Sequence, residues 1–337
     1  MFFYFHDPEE RDIIGSCMSS ILKEYDMYYF IVNPNSGCGN GLKVWNQTKK
    51  FLSGLGTEYD VYFTAKQGDA MAKSHEVSSS YEETAPEKPL TVIAMGGDGT
   101  INEVLNGLDL SRNVVFGFIP SGSGNDLCRS LGFPQGTDNI IRKLFTAGYV
   151  REMDYGVLTN DEGTLRRRFA VSCGAGFDAA VCHRLEVSRL KAFCNKIGTG
   201  KLAYTLVGVG SFIAEKPVRG TMSIDGDRRV EYKSIFFTSI QNHIFEGGGY
   251  KFAPNAQWND GMVDITAVST RNKLKLVPIL LDKKSGLKEN GFTRFFPCRE
   301  VKMHFERPLP MHADGELMGM QTDITVRCVK GGVRILT

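Results

Sequence analysis

Three glycine-rich segments, each set between an unbroken apolar run and a helix-forming stretch, limit what this chain can become more than any other feature. They are Asn33-Pro34-Asn35-Ser36-Gly37-Cys38-Gly39-Asn40-Gly41, Gly96-Gly97-Asp98-Gly99-Thr100 and Pro120-Ser121-Gly122-Ser123-Gly124-Asn125-Asp126. The apolar runs before them cover 28–32, 90–95 and 114–119, and a fourth covers 59–63. Runs apolar at every position are expected of strands covered on both faces. Helical stretches over 42–52, 69–80 and 101–108 supply the crossovers, so 27–150 reads as a parallel, doubly wound α/β domain. In open α/β sheets ligands bind at the carboxyl ends of the strands, where all three glycine segments fall.

Beyond about residue 149 the pattern changes. Strand-like alternation appears over 153–158, 168–172, 220–224, 232–239, 262–268, 301–305 and 324–329, punctuated by turns such as Asp225-Gly226 and Lys330-Gly331-Gly332. Two helical inserts are expected, over 178–190 and 200–215. The fold class is therefore α/β with two domains: the doubly wound nucleotide domain over 27–150, and a mostly antiparallel, β-sandwich-like domain over 151–337. Residues 1–26 are polar and poorly patterned. They read as an extension, with Met27 as the functional start, or as an amphipathic helix over 13–22.

A length of 337 residues suits two domains. Lys plus Arg is 40 against 38 Asp plus Glu, a balance that gives no reason to expect a nucleic-acid partner. No apolar run approaches the roughly 18 residues that cross a bilayer. The apolar opening, residues 1–5, stops at His6-Asp7-Pro8 without the flanks of a signal peptide. The 8 cysteines are scattered without metal-ligand spacing and read as reduced thiols of a cytoplasmic protein. His243, His304 and His312 fall in separate β-elements and read as structural or surface residues.

Glycine lets a backbone approach a phosphate closely, and a helix N-terminus offers free N–H donors and the positive end of a dipole. One such loop is often only a tight turn; three on one sheet edge argue for a nucleotide. A carboxylate such as Asp98 beside phosphates is unfavourable unless a cation lies between, which points to Mg²⁺. The GxxxxGK[ST] pattern of P-loop enzymes is absent. Gly96–Thr100 with Ile101-Asn102-Glu103-Val104-Leu105-Asn106-Gly107 closely resembles the nucleotide loop of the diacylglycerol kinase catalytic-domain family, as does the Asn-Pro-x-Ser-Gly opening. The third segment, running on to Gly132, is similar to that family's PxGTxNDxAR stretch with Ser123 where Thr is common. With His312-Ala313-Asp314-Gly315-Glu316, the four motifs stand in the order found in bacterial soluble lipid kinases of the diacylglycerol kinase type. The resemblance covers essentially all of 28–337.

That resemblance implies a set of roles. ATP would bind across Asn33, Pro34, Asn35, Ser36, Gly37, Thr64, Gly96, Gly97, Asp98, Gly99, Thr100, Asn102 and Ser123, with Asp98 orienting the phosphates through Mg²⁺. Glu316 would be the general base for a lipid hydroxyl, brought from the second domain into an interdomain cleft. Asn125, Asp126 and Asp178 would meet the lipid head group; the first two equally read as caps of the following helix. Within Trp258–Asp264, Asp260 and the carbonyls of Gln257 and Met262 would hold a structural Mg²⁺, the other reading being an Asp-Gly hairpin turn. Diacylglycerol is the first substrate expected, with sphingoid-base or ceramide kinases, NAD kinase and a non-catalytic lipid-binding protein as rivals. Ser121 and Ser123 leave a nucleotide other than ATP open. A cytoplasmic enzyme acting at the inner face of the membrane, with a homodimer conceivable, completes the expectation. Lys273, Lys275, Lys283, Lys284 and Lys288 around the apolar run 274–281 fit either an anionic bilayer or a solvated helix face.

Overall fold

The structure is a computed structural model that describes residues 27–82, 88–122, 124–187, 210–282 and 285–337. The N-terminal extension, Ser123, Lys283, Lys284 and most of the second helical insert lie outside the described residues. The chain divides into two compact units. One takes the residues up to Gly122, Gly132–Arg151 and Val333–Thr337; the other takes Ser123–Leu131 and Glu152–Gly332.

In the first unit, β1 (Met27–Val32), α1 (Ser36–Leu55), β2 (Tyr59–Phe63), α2 (Asp69–Ser79), β3 (Leu90–Gly96), α3 (Asp98–Gly107) and β4 (Val114–Pro120) follow one another. After the short α4 (Asp126–Ser130), which belongs to the second unit, comes α5 (Thr137–Thr146). The strands pair in parallel in the order β4-β3-β1-β2, with Tyr28 opposite both Tyr59 and Thr91, and Leu90 opposite Val114. All seven residues of β3 and of β4 are buried, as their unbroken apolar sequence requires. Alternation along β1 shows the two faces. Tyr28 and Phe30 meet Phe145 of α5 and Trp45 of α1, with ring centroids 5.5 and 5.4 Å apart, while Tyr29 between them faces Lys73 of α2. Helices therefore cover both sides, the doubly wound arrangement. Ile335, near the end of the chain, pairs in parallel with Phe116 on β4.

The second unit begins within β5 (Val150–Asn160) and continues through β6 (Arg166–Phe169), β7 (Ser172–Gly176), α6 (Phe177–Val187), β8 (Val218–Ile224) and β9 (Arg228–Gln241). There follow β10 (Phe245–Glu246), β11 (Tyr250–Lys251), β12 (Val263–Ser269), α7 (Val277–Leu281), β13 (Thr293–Cys298), β14 (Glu300–Ala313) and β15 (Glu316–Leu336). The order β13-β12-β9-β7-β14-β15 is antiparallel, and β8 pairs with both β9 and β14. Val301, Met303 and Phe305 point into a core with Ile240, Ile265, Phe296 and Val326, while Lys302, His304 and Glu306 alternate outward. The last two strands run far past the expected 301–305 and 324–329 because they form one hairpin, closed by Ala313 opposite Glu316.

Helices α2 and α3 touch at a glycine. A Cβ on Gly107 would lie 2.1 Å from the Met71 carbonyl oxygen and 2.8 Å from Ser74 Cβ, while the Ser74 hydroxyl donates to the Val104 carbonyl at 2.8 Å. Gly107→Ala should therefore destabilise the protein by about 1–3 kcal/mol through overpacking, read as a lower urea midpoint at unchanged m.

Candidate active site

In the first unit the glycine segments pack backbone against backbone. Each strand end is tied to its neighbour where its loop begins: the Asn33 N–H donates to the Met95 carbonyl at 2.8 Å, Ser121 N–H to Gly96 at 2.7 Å and Thr64 N–H to Val32 at 2.9 Å. Beyond these ties, Asn33 Nδ2 donates to Thr100 Oγ1 at 3.1 Å, Asn40 Nδ2 to the Ser121 carbonyl at 3.2 Å, and the Ser36 and Ser121 hydroxyls meet at 2.5 Å. The glycines are required here. A Cβ on Gly37 would sit 2.2 Å from the Ser121 carbonyl oxygen, and one on Gly122 would sit 2.8 Å from Gly97 Cα.

Gly37, Cys38 and Gly39 adopt successive left-handed conformations (φ 57°, 59° and 90°), beginning two residues after right-handed Asn35. Within this turn the N–H groups of Asn35, Ser36 and Gly39 are already taken, by Asn33 Oδ1 and by the Asn33 and Asn35 carbonyls, so the loop is closed on itself. Regular helix follows only past Gly39, close to the expected start at 42. Gly97 is extended and α3 starts at Asp98, whose carboxylate stands in the first turn beside Gly99 and the buried Thr100. The fold thus brings together Asn33, Pro34, Asn35, Ser36, Gly37 and Gly96–Thr100, with buried Thr64 at the end of β2. Asn102 is different: it is fully buried within α3 and its carbonyl and Oδ1 accept from Asn106 Nδ2.

In the second unit Glu316 follows a two-residue hairpin turn. Asp314 (φ 48°) and Gly315 (φ 83°) supply the two positive φ values that this tight turn needs. The Asp314 carboxylate accepts the backbone N–H groups of Ala170, Val171 and Ser172 at 2.8, 2.8 and 3.0 Å, and its own N–H donates to the Ser172 carbonyl at 2.8 Å. Asp314 is thereby committed to anchoring the turn. Glu316, half-buried at the start of β15, is the carboxylate that the turn presents.

Behind this turn lies a cluster absent from the sequence reading. His312, fully buried rather than at the surface, places Nε2 2.8 Å from Asp178 Oδ2 and 3.3 Å from Glu246 Oε1. The three ligating atoms lie within 4.8 Å of one another. Glu246 also accepts from Ser239 Oγ at 3.0 Å and from Gln241 Nε2. Burial, then the charge of Asp178, pushes the Glu246 carboxyl up to about 7. Burial opposes charge on His312, while the neighbouring Asp178 and Glu246 carboxylates favour a bound proton beside them. His312 and Glu246 form a coupled pair that shares one extra proton between imidazole and carboxyl. Only the β7–β14 register and the β10 turn bring them together, so no spacing in the sequence announces them.

Asp126 is largely buried, which pushes its carboxyl above the usual range. It accepts the Gly248 N–H at 2.9 Å and Arg129 Nη1 at 2.5 Å. Asn125, left-handed at φ 54°, makes no side-chain cap to α4, so the capping expectation fails for it. Asp260 Oδ1 accepts the Met262 N–H at 2.9 Å, the expected turn. Buried Asp154 shapes the same loop, accepting from Gly261 and Gly331 at 2.6 Å each. Burial, then the Asp260 charge, raises the Asp264 carboxyl to about 6. The Asp260 and Asp264 carboxylates, with the exposed residue Gln257 close by in sequence, make an oxygen donor set that fits a hard cation.

The sign of the Asp264 effect is fixed. An acid whose folded pKa exceeds its unfolded value of 3.8 stabilises the fold below that value and loses this contribution as pH rises to about 6. Stability to urea should fall by about 2–3 kcal/mol across this window relative to Asp264→Asn. Mg²⁺ should recover part of the loss, and Asp260→Asn should abolish the recovery.

Residues 27–158 match the diacylglycerol kinase catalytic domain, and residues 171–337 match the YegS C-terminal NAD kinase beta sandwich-like domain. A diacylglycerol kinase of Bacillus subtilis is 28% identical over 294 residues, 86% of this chain and 89% of that protein. A Chromohalobacter salexigens protein named for its likeness to YegS lipid kinases is 31% identical over 230 residues, 67% of this chain and 69% of that protein. A crystal structure titled as a diacylglycerol kinase of Bacillus anthracis superposes with a TM-score of 0.67 at 19% identity, covering 92% of this chain and 96% of that one, a likeness of fold. With both domain matches in order along the chain, and a relative above 30% identity spanning two-thirds of it, the chain belongs to the diacylglycerol kinase catalytic-domain family and is a lipid kinase.

Proposed function

We propose that this kinase transfers the γ-phosphoryl group of ATP to the free hydroxyl of diacylglycerol, giving a phosphatidic-acid-type product. The observation that carries the reading is the hairpin turn in which the Asp314 carboxylate anchors three backbone donors and sets Glu316, half-buried, as the first residue of β15. Glu316 takes the proton of the attacking hydroxyl as the new O–P bond forms and the bond to the departing ADP breaks. The glycine loop at 35–39 and the N-terminus of α3 hold the phosphates, with Asn33, Ser36 and Thr100 fixing the loops that present them. Asp98 would hold a Mg²⁺, which would supply charge neutralisation at the phosphates. Asp260 would hold a second Mg²⁺ within the second unit.

Among the described residues no helix is long and apolar enough to cross a membrane, so the lipid is met at a surface. An open groove of about 550 Å³ lined by Phe212, Ile213, Arg271, Asn272, Lys273 and Leu274 suits that contact. Ile213 and Leu274 are 69% and 76% exposed, and exposed Arg271 and Lys275 flank them. Apolar side chains ringed by cations match the inner face of an anionic membrane. Lys273 is engaged elsewhere, donating to the carbonyls of Phe212 and Ile213 at 2.7 Å.

Labelled-ATP transfer in mixed micelles holding diacylglycerol, sphingosine or ceramide, with NAD in a parallel reaction, tests the assignment. Diacylglycerol should be labelled, and Glu316→Gln and Asp98→Asn should each lose at least about 100-fold in kcat. Label on another acceptor, or activity retained by Glu316→Gln, refutes the corresponding part. Sedimentation with anionic vesicles should fall several-fold for Leu274→Glu, with transfer to a short-chain, water-soluble diacylglycerol unchanged.

A further inference from the structure

We propose that His312 is a positioning residue for Glu316, a neutral imidazole with its proton on Nε2 that ties the Asp314-Gly315 turn to Asp178 and Glu246. The inference rests on the assignment of Glu316 as general base.

The geometry at the two ring nitrogens differs in kind. On one side the Gly315 N–H points at Nδ1, 3.3 Å away. An amide can donate only to a lone pair, so this contact requires Nδ1 to be unprotonated. On the other side Nε2 faces two carboxylate oxygens, at 2.8 and 3.3 Å, which requires Nε2 to carry hydrogen. The extra proton of the cluster therefore sits on the Glu246 carboxyl, because on Nδ1 it would oppose the Gly315 donor head-on. The same tautomer leaves no lone pair on Nε2 for a cation. The cluster is a hydrogen-bonded tie and not a metal centre, although its three ligating atoms are close enough to hold one.

The surroundings are built to admit this ring. Gly174 stands opposite His312 in the β7–β14 ladder, where a Cβ would lie 2.4 Å from Asp178 Oδ2 and 2.8 Å from His312 Nε2. The tie also reaches the other acidic residue expected near the acceptor. Glu246 directly precedes the turn Gly247-Gly248-Gly249, three residues at positive φ, whose Gly248 N–H holds Asp126. One imidazole thus links the turn before Glu316, the first turn of α6 and the glycine turn that grips Asp126. The contacts described for its ring are to Asp178, Glu246 and the Gly315 N–H, so its effect on the rate passes through the position of Glu316.

The test compares His312→Leu, His312→Asn, Gly174→Ala and Glu316→Gln in the full chain, each first shown to unfold cooperatively. His312→Leu should lower kcat at least about 10-fold with the KM for ATP within about twofold. His312→Asn, whose Oδ1 can accept the Gly315 N–H in place of Nδ1, should recover most of the rate, and Gly174→Ala should behave like His312→Leu. Imidazole ¹⁵N spectra at neutral pH should show His312 with one protonated and one bare nitrogen. Full activity in His312→Leu while Glu316→Gln is inactive overturns the positioning role and leaves the base assignment standing. Activity retained by Glu316→Gln overturns the base assignment itself. Two protonated nitrogens, no recovery in His312→Asn, or stoichiometric uptake of Zn²⁺ alone that His312→Leu abolishes, each overturns the tie.

Discussion

A single carboxylate receiving three consecutive backbone N–H groups holds the second unit in working order. Residues 170–172 run from the end of β6 into β7, and their donors would be costly to leave unpaired among buried strands. Asp314 satisfies all three and thereby fixes where the β14–β15 hairpin turns. The turn in turn sets which residue begins β15. A one-residue slip would invert every side chain of that strand, exchanging the face on which Glu316 stands. In the proposed mechanism the labour within this motif is divided, the aspartate building the turn and the glutamate taking the proton.

The first unit solves a different problem, that of bringing three loops close enough to surround a phosphate chain. Side chains would hold them apart. Glycine at 37, 97 and 122 lets main chain touch main chain, Gly96 makes room for the Thr100 side chain, and hydroxyl and amide groups of Asn33, Ser36, Asn40, Thr100 and Ser121 close the remaining gaps. Such a surface is mostly backbone, which suits a ligand recognised by charge and shape.

The nucleotide side was legible because its determinants are local: an apolar strand, a glycine loop and a helix start recur within a dozen residues, three times over. The hairpin bearing Glu316 was legible as a motif, but the task of Asp314 was not, since its partners lie more than 140 positions away. The same distance hid the cluster. Asp178, Glu246 and His312 belong to a helix start, a two-residue strand and a long strand, and only pairing across the sheet makes them neighbours. The segment 123–131 follows a nucleotide loop in sequence yet is grouped with the second unit, where Asp126 grips a glycine turn beyond residue 245. Its local pattern of Asn-Asp before a helix invited a cap, and tertiary bonds claimed the carboxylate instead.

The close approach of Gly174 to the ring of His312 has a bearing on how this family can change over time. Two positions 138 apart in sequence share one volume, so neither can vary alone. A lineage that kept histidine at 312 would be confined to glycine at 174. One that shortened the side chain at 312 would still meet the Asp178 carboxylate, 2.4 Å from the place a Cβ would take, so a larger residue opposite calls for change at both 178 and 312. Relatives should fall into sets distinguished by these positions, each set internally consistent and separated from the next by an intermediate that folds poorly.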